Sequence, residues 1–352
     1  MIRVLIVDDS AVLRQTTRLI LQSDSNIMVI GEANNGSDAV SMAERMRPDV
    51  ITMDIRMPKM DGPQAIRQIM AANPMPIIVV TSVDLAQEMD LSAQLTKLGA
   101  VSVLQRPETV SAPNFKTFAS KLVEQVKLMS TVKVVRHTRT DKATLADGGI
   151  KMPLLVLKPP AKTEIIAIGS STGGPAALHK LLGALPADLP VPIVIVQHIS
   201  FGFVQGLAEW LNDACSIKVK VAQAGEKVQP GIAYLGPDNN HMLVDRLNRI
   251  ALNPSELVGG HRPAVTTLFQ SIAQSYGPAA IGVILTGMGA DGAVGMLTLY
   301  ESGAITIAQD EASCVVFGMP KEAIALGAVQ QILPLDRIAQ TLGSMITLQV
   351  AA

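Results

Sequence analysis

Gly169-Ser170-Ser171-Thr172-Gly173-Gly174 follows the apolar run EIIAI and precedes Pro175. Its first five residues fit G-x-S-x-G. A strand-to-helix turn of that kind exposes the central hydroxyl and points the next backbone N–H groups at a developing oxyanion. Pro175 suits the first turn of the helix that follows. A Gly/Ser-rich loop at a helix N-terminus also cradles phosphate. The segment lacks G-x-G-x-x-G and the Walker Gly-Lys-Ser/Thr ending, yet the loop alone leaves both readings open. Two other strand ends decide between them. PIVIVQH places His198 at the carboxyl end of a core strand, and GVILTGMGADG places Asp291 just after another, at the start of a helix. Taken singly, His198 reads as a structural histidine and Asp291 as a helix cap. Together with Ser171 they supply what an alkoxide nucleophile needs. The histidine takes the hydroxyl proton, and the carboxylate fixes the imidazole tautomer and steadies its positive charge. The order Ser, His, Asp differs from the Ser, Asp, His of α/β-hydrolases, so a different fold is expected.

A second constellation lies nearer the N-terminus. Asp8 and Asp9 follow the run VLIV, Asp54 follows VITM, Thr81 and Ser82 follow IIVV, and Arg106-Pro107 comes after VSVL. Three carboxylates at neighbouring strand ends repel one another, and a hard divalent cation such as Mg²⁺ is the natural remedy. A carboxylate beside Mg²⁺ can accept a phosphoryl group whose other oxygens are held by a hydroxyl and a cation. One aspartate alone would read as a cap or turn residue.

Both constellations need strands that end together. In residues 1–126, five four-residue apolar runs alternate with amphipathic stretches at 11–22, 37–46, 62–72, 86–98 and 114–128. Continuous apolar runs suit parallel strands buried on both faces, so a (βα)5 flavodoxin-like sheet is predicted. Residues 163–352 repeat the logic in EIIAIG, PIVIVQH, KVKVA, AAIGVILTG and AITIA, with helices at 175–185, 204–213, 263–276 and 292–302. This predicts a second, doubly wound, mainly parallel α/β unit, with hairpin strands near 232–252. Charge marks the seam. Residues 1–126 hold 12 basic and 14 acidic side chains, residues 127–162 hold 8 and 2, and residues 163–352 hold 9 and 14. The basic connector, with its Gly148-Gly149 and Pro159-Pro160 breakers, reads as a linker in which VKVV and PLLVL are candidate short strands. Its charge is read as solvated or lying over acidic faces rather than as a nucleic-acid site.

Composition narrows the function classes. Aromatic residues make up 3% and the net charge is −1. These values disfavour base stacking and a basic nucleic-acid face. No apolar run approaches the ~20 residues of a membrane span. No signal peptide is recognised, and Cys215 and Cys314 read as thiols of a reducing cytoplasm.

The aspartate pair, MDIRMPKMDG, Thr81-Ser82 and the basic residue before Pro107 resemble the response-regulator receiver domain. The resemblance implies phosphorylation of Asp54, and Mg²⁺ held by Asp9, Asp54 and the carbonyl of Arg56, with Asp8 helping through water. It implies that Thr81 contacts the phosphoryl group and triggers the switch. Arg106 stands where the family usually has Lys, and Val103 where it usually has the switch aromatic; Arg for Lys is not conservative at a point-charge site. Over nearly the whole chain, IAIGSSTGGP, IVQHIS, HRPAV, VILTGMGADG and QDEASCVVFGMPKEA resemble the CheB methylesterase family. That resemblance implies Ser171 as nucleophile, His198 as general base then acid, and Asp291 as orienter. It implies an oxyanion hole from backbone groups of Thr172 and Met288. His261-Arg262-Pro263 would shape the substrate cleft.

The resemblance also implies the substrate, γ-glutamyl methyl esters on cytoplasmic chemoreceptor helices, giving methanol, and glutamines, giving ammonia. A sensor histidine kinase would be the phosphodonor, and the unphosphorylated receiver would cover the cleft. No metal is expected for hydrolysis, no nucleic acid as partner and no membrane insertion. A receiver with a DNA-binding output is disfavoured by the acidic, strand-rich second block. The remaining alternative is a catalytically silent, receptor-docking adaptor.

Overall fold

Runs of Val, Ile and Leu bury both faces of a strand, and two parallel sheets grow from such runs. The computed structural model describes residues 1–82, 102–107, 109, 111–130, 162–199 and 201–350. The first sheet contains β1 (Ile2–Val7), β2 (Ile27–Ala33), β3 (Val50–Met53), β4 (Ile77–Thr81) and β5 (Ser102–Gln105), all parallel in the order β2-β1-β3-β4-β5. Helices α1 (Ala11–Gln22), α2 (Gly36–Met46), α3 (Gly62–Ala72) and α4 (Phe115–Met129) accompany it. Ser10, Asn35 and Asp61 cap the first three, accepting from the amides of Leu13, Asp38 and Gln64. The helix expected at 86–98 lies outside the described residues, as do the VKVV and PLLVL runs of the connector. Helix α4 carries on past residue 126 to Met129.

The second sheet has seven parallel strands. They are β6 (Ile165–Ser170), β7 (Ile193–Gln197), β8 (Lys218–Val221), β9 (Ile232–Leu235), β12 (Ala280–Ile284), β13 (Ile305–Gln309) and β14 (Gln331–Leu333), in the order β14-β13-β12-β6-β7-β9-β8. A hairpin, β10 (His241–Val244) and β11 (Ile250–Asn253), stands apart. Its helices are α5 (Gly174–Gly183), α6 (Val204–Ala214), α7 (Val265–Tyr276), α8 (Ala293–Glu301), α9 (Met319–Ala325) and α10 (Leu335–Val350).

The hairpin expected near 232–252 is present as β10 and β11, but it does not include the first run of that range, because β9 pairs in parallel with β7 and β8. Its IAYL run is almost wholly buried and belongs in the sheet. Gly236-Pro237 then breaks the strand, and the Asp245–Asn248 turn closes the separate hairpin, with the Asn248 amide donating to the Asp245 carbonyl at 3.0 Å.

From β6 the chain steps to β7 on one side, and later returns through β12 on the other. The crevice above the carboxyl ends of β6 and β12 is therefore the switch point, where open α/β sheets bind ligands. The corresponding point of the first sheet lies between β1 and β3. The two units also share packing: Val316 is buried in one hydrophobic cluster with Phe118, Leu122 and Val126 of α4, and Met288 and Val315 pack against that cluster.

Candidate active site

Ser171 leaves β6 at the switch point and His198 leaves β7, while Asp291 stands on the loop between β12 and α8. Gly173 makes the nucleophile turn possible: its φ is +80°, and a Cβ there would lie 2.5 Å from that of Val315. The Ser171 amide donates to the Thr286 carbonyl at 3.0 Å, tying the turn to the loop after β12.

His198 Nε2 and Asp291 Oδ2 are 2.8 Å apart, with side chains 9% and 2% exposed. The carboxylate also accepts from the amides of Val265 (2.7 Å) and Thr266 (3.0 Å). Asp291 therefore caps the start of α7 from across the crevice, rather than its own following helix, and the positive end of α7 favours its charge. Burial pushes the carboxyl up, but the hydrogen bond and charge of His198 and the bonds from Thr266 outweigh it and hold it at about 2. An ionised Asp291 accepts from Nε2–H, which leaves Nδ1 as the basic nitrogen. That Nδ1 is buried and has no hydrogen-bond partner among the described residues. It makes no bond to the Ser171 hydroxyl; catalytic hydrogen bonds of this kind commonly tighten only when substrate binds.

No protein acceptor for the Thr172 or Met288 amide is found among the described residues. Both stand beside the turn. Thr286 Oγ1 donates to the Thr172 carbonyl at 2.9 Å and accepts from the Val316 amide at 2.9 Å. Met288 follows Gly287, where a Cβ would come within 2.8 Å of the Ser171 Cβ. Met288 also borders a groove of about 1050 Å³ shared with Leu19 and Ile20 of α1 and Ala119 and Val123 of α4. The His261 ring stacks on that of His198, which places the His261-Arg262-Pro263 loop at the crevice.

Several polar residues at the site escaped the sequence reading. Gln197, Ser170, Thr286 and Gln309 are all buried and all bonded within the site. The signal available was a glutamine closing an otherwise apolar strand, in IVIVQ and ITIAQ, because a buried amide must find partners.

The first sheet gathers its acidic residues as their strand ends predict. Oxygens of Asp8, Asp9 and Asp54 all lie within 4.8 Å of one another. Asp8 and Asp54 are buried and Asp9 is exposed. Burial, then the charge of Asp8, pushes Asp54 up to about 6. Arg106 Nη1 lies 2.8 Å from Asp8 Oδ2. Thr81 is fully buried at the end of β4, and its carbonyl accepts from the Arg106 amide at 2.8 Å. Arg56 lies exposed two positions beyond Asp54. An oxygen-only cluster of this charge fits a hard divalent cation.

Comparison with known proteins accounts for both sheets. A family model described as CheB methylesterase matches residues 166–342, and one described as response regulator receiver domain matches residues 4–112. A protein-glutamate methylesterase/protein-glutamine glutaminase of Nitrosospira multiformis is 43% identical over 347 residues, covering 98% of this chain and 97% of the relative. The protein of the same name from Salmonella typhimurium is 39% identical over 342 residues, covering 96% of this chain and 95% of its own. The crystal structure of the Thermotoga maritima CheB methylesterase catalytic domain superposes with a TM-score of 0.51 at 38% identity, covering 53% of this chain and all of that one. Identity of that order runs through both sheets rather than one, and the chain belongs to the CheB methylesterase family, with a response-regulator receiver domain ahead of its methylesterase domain.

Proposed function

We propose that this chain is a phosphorylation-regulated serine hydrolase that demethylates γ-glutamyl methyl esters, and deamidates glutamines, on the cytoplasmic helices of chemoreceptors. The observation that carries the mechanism is the 2.8 Å His198–Asp291 bond, which commits Nε2 and leaves a buried Nδ1 beside the nucleophile turn. Ser171 Oγ attacks the ester carbonyl as His198 Nδ1 takes its proton, and Asp291 stabilises the imidazolium. The amides of Thr172 and Met288 receive the oxyanion. His198 returns the proton to the departing methoxide, releasing methanol. Water, deprotonated by His198, then frees glutamate and the Ser171 hydroxyl. With glutamine as substrate the leaving group is ammonia. Each glutamate released restores a negative charge to a receptor helix and shifts its packing.

The receiver supplies control. We assign Asp54 as the acceptor of a phosphoryl group from a sensor histidine kinase, and Thr81 and Arg106 as the groups that meet it. Asp9, Asp54 and the Arg56 carbonyl, with Asp8 helping through water, would hold Mg²⁺, which neutralises charge on the transferring group. Residues 1–126 form the receiver in this reading, 127–162 the connector and 163–352 the hydrolase. Among the described residues no helix is long and apolar enough to cross a membrane, and the protein meets its substrate in the cytoplasm.

Methanol release from methyl-labelled receptor membranes tests the reading. Wild type releases it, a phosphodonor raises the rate, and a folded Ser171→Ala protein loses about a million-fold in turnover. Undiminished release by Ser171→Ala removes the nucleophile assignment. No release by wild type under any condition leaves the docking adaptor.

A further inference from the structure

Gln197 is the last residue of β7 and is 3% exposed. Its side-chain amide is fully occupied by three residues around the nucleophile and the base. Oε1 accepts from Ser170 Oγ at 2.6 Å, and Nε2 donates to the Ser171 carbonyl at 2.8 Å and to the His198 carbonyl at 2.7 Å. The facing groups fix the orientation of the amide, because two carbonyls can only be met by an NH₂.

We propose that Gln197 is a positioning residue that sets both the spacing of nucleophile and base and the aim of the oxyanion donor. This rests on the serine-hydrolase reading above. The first effect is direct: one rigid amide nitrogen grips the main chain of Ser171 and of His198. The second follows from the planar trans peptide, in which the Thr172 N–H points opposite to the Ser171 C=O. With that carbonyl held inward by Gln197 and by the Gly174 amide (2.8 Å), the Thr172 N–H is turned outward to the crevice. Gly174 belongs to the device. A Cβ at position 174 would lie 1.9 Å from Gln197 Oε1, so only glycine lets the amide reach.

Gln197→Met keeps the length and burial of the side chain and removes all three bonds. Misplacement of reacting groups by about 1 Å is worth about a hundredfold in rate, so kcat should fall about a hundredfold while KM stays within twofold. The labelling rate of Ser171 by a fluorophosphonate should fall in parallel. A purely structural loss would lower the folded fraction, not kcat per labelled site at a temperature where the variant is folded. Ser170→Ala is a milder second variant in case Gln197→Met does not fold. It frees Oε1 alone, and kcat should drop several-fold at constant KM. The double variant should be no worse than Gln197→Met, since both act through one amide. Wild-type kcat in folded Gln197→Met, or in Ser170→Ala where only that variant folds, overturns the positioning role, as do effects that simply multiply in the double variant. A wild-type protein that neither hydrolyses the ester nor labels overturns the hydrolase reading and the proposal with it.

Discussion

The imidazole of His261 lies flat on that of His198, with ring centroids 3.9 Å apart and planes 3° from parallel. The stack limits the base to in-plane rotation and so protects its bond to Asp291. It also requires His261 to be neutral whenever His198 becomes an imidazolium. Burial, then the charge of His198, lowers the proton affinity of His261. Lys121 of α4 lowers it further, and Asp291 opposes them. Among the described residues these are the charges that act on the ring, and their balance with burial holds its proton affinity below that of an ordinary histidine.

His261→Ala should therefore lower kcat about tenfold or more through loss of orientation, whereas His261→Phe, which keeps a flat ring, should retain most of it. The acid limb should differ as well. Protonation of His261 places a charge against the base, so His261→Phe should keep a larger share of its own neutral-pH kcat/KM than wild type as pH falls. The linkage has a definite sign. The folded-state proton affinity is lowered, so the neutral ring contributes stability above the unfolded value near 6.5 and loses it as pH falls toward the folded value. Melting curves of wild type and His261→Phe between pH 5 and 8 should converge at high pH. Parallel curves across that range would show that His261 does not titrate in the folded protein as described.

The carboxylate oxygens of Asp8, Asp9 and Asp54 crowd within 4.8 Å, and Arg106 offsets only part of their mutual repulsion, so that burial and this repulsion together leave Asp54 raised. Asp54→Asn removes one of those charges. Without divalent ions it should raise the melting temperature. It should also blunt the stabilisation that wild type gains from millimolar Mg²⁺, which follows the usual linkage between ligand binding and stability. The same variant should lose activation by a phosphodonor while retaining basal methanol release. A full Mg²⁺ response in Asp54→Asn would take Asp54 out of the ligand set.

Arg106 and Asp8 form an ion pair at 2.8 Å with both side chains 6% exposed. Removing one partner of such a pair strands the other charge, at a cost of about 3–5 kcal/mol. Arg106→Met should lower receiver stability by that order in the absence of metal, as measured by urea unfolding. Mg²⁺ should recover part of the loss by taking over Asp8. Arg106→Lys keeps the charge and should lose less than half as much.

Much of this arrangement can be read from the chain because parallel α/β sheets place chemistry at strand ends. Asp8 and Asp54 directly follow an apolar run, His198 follows one after one intervening residue and Ser171 after two, and an apolar run between glycines and charges marks its own carboxyl end. Periodicity speaks less clearly about partners. IAYL at 232–235 is apolar enough for either a hairpin or the main sheet, and only its contact with β7 settles the choice. Asp291 reads as the cap of the helix it precedes, but its hydrogen bonds go to α7, more than twenty residues earlier. Gln197 looks like the polar end of a strand until its three partners come together. In each case the deciding contact is distant in sequence, so the local pattern can mark the residue but cannot name its partner.

The packing of Met288 and Val316 against α4 predicts how the two units are coupled. The outward face of that helix, with Ala119 and Val123, borders the groove on which Met288 stands, next to the turn bearing Ser171 and Thr172. A Met288 side chain tied to the receiver's hydrophobic cluster restrains the loop that carries this amide donor. Ala119→Asp introduces a charge into this apolar contact without touching the catalytic groups. Burying an unpaired carboxylate is costly enough to favour separation of the two surfaces. Basal turnover without a phosphodonor should therefore rise several-fold, and the phosphodonor-saturated rate should stay near that of wild type. The fold-activation should shrink accordingly, because separation is already achieved. A lowered saturated rate would mean that α4 assists catalysis. An unchanged basal rate in a protein of normal stability would mean that the contact does not restrain the hydrolase.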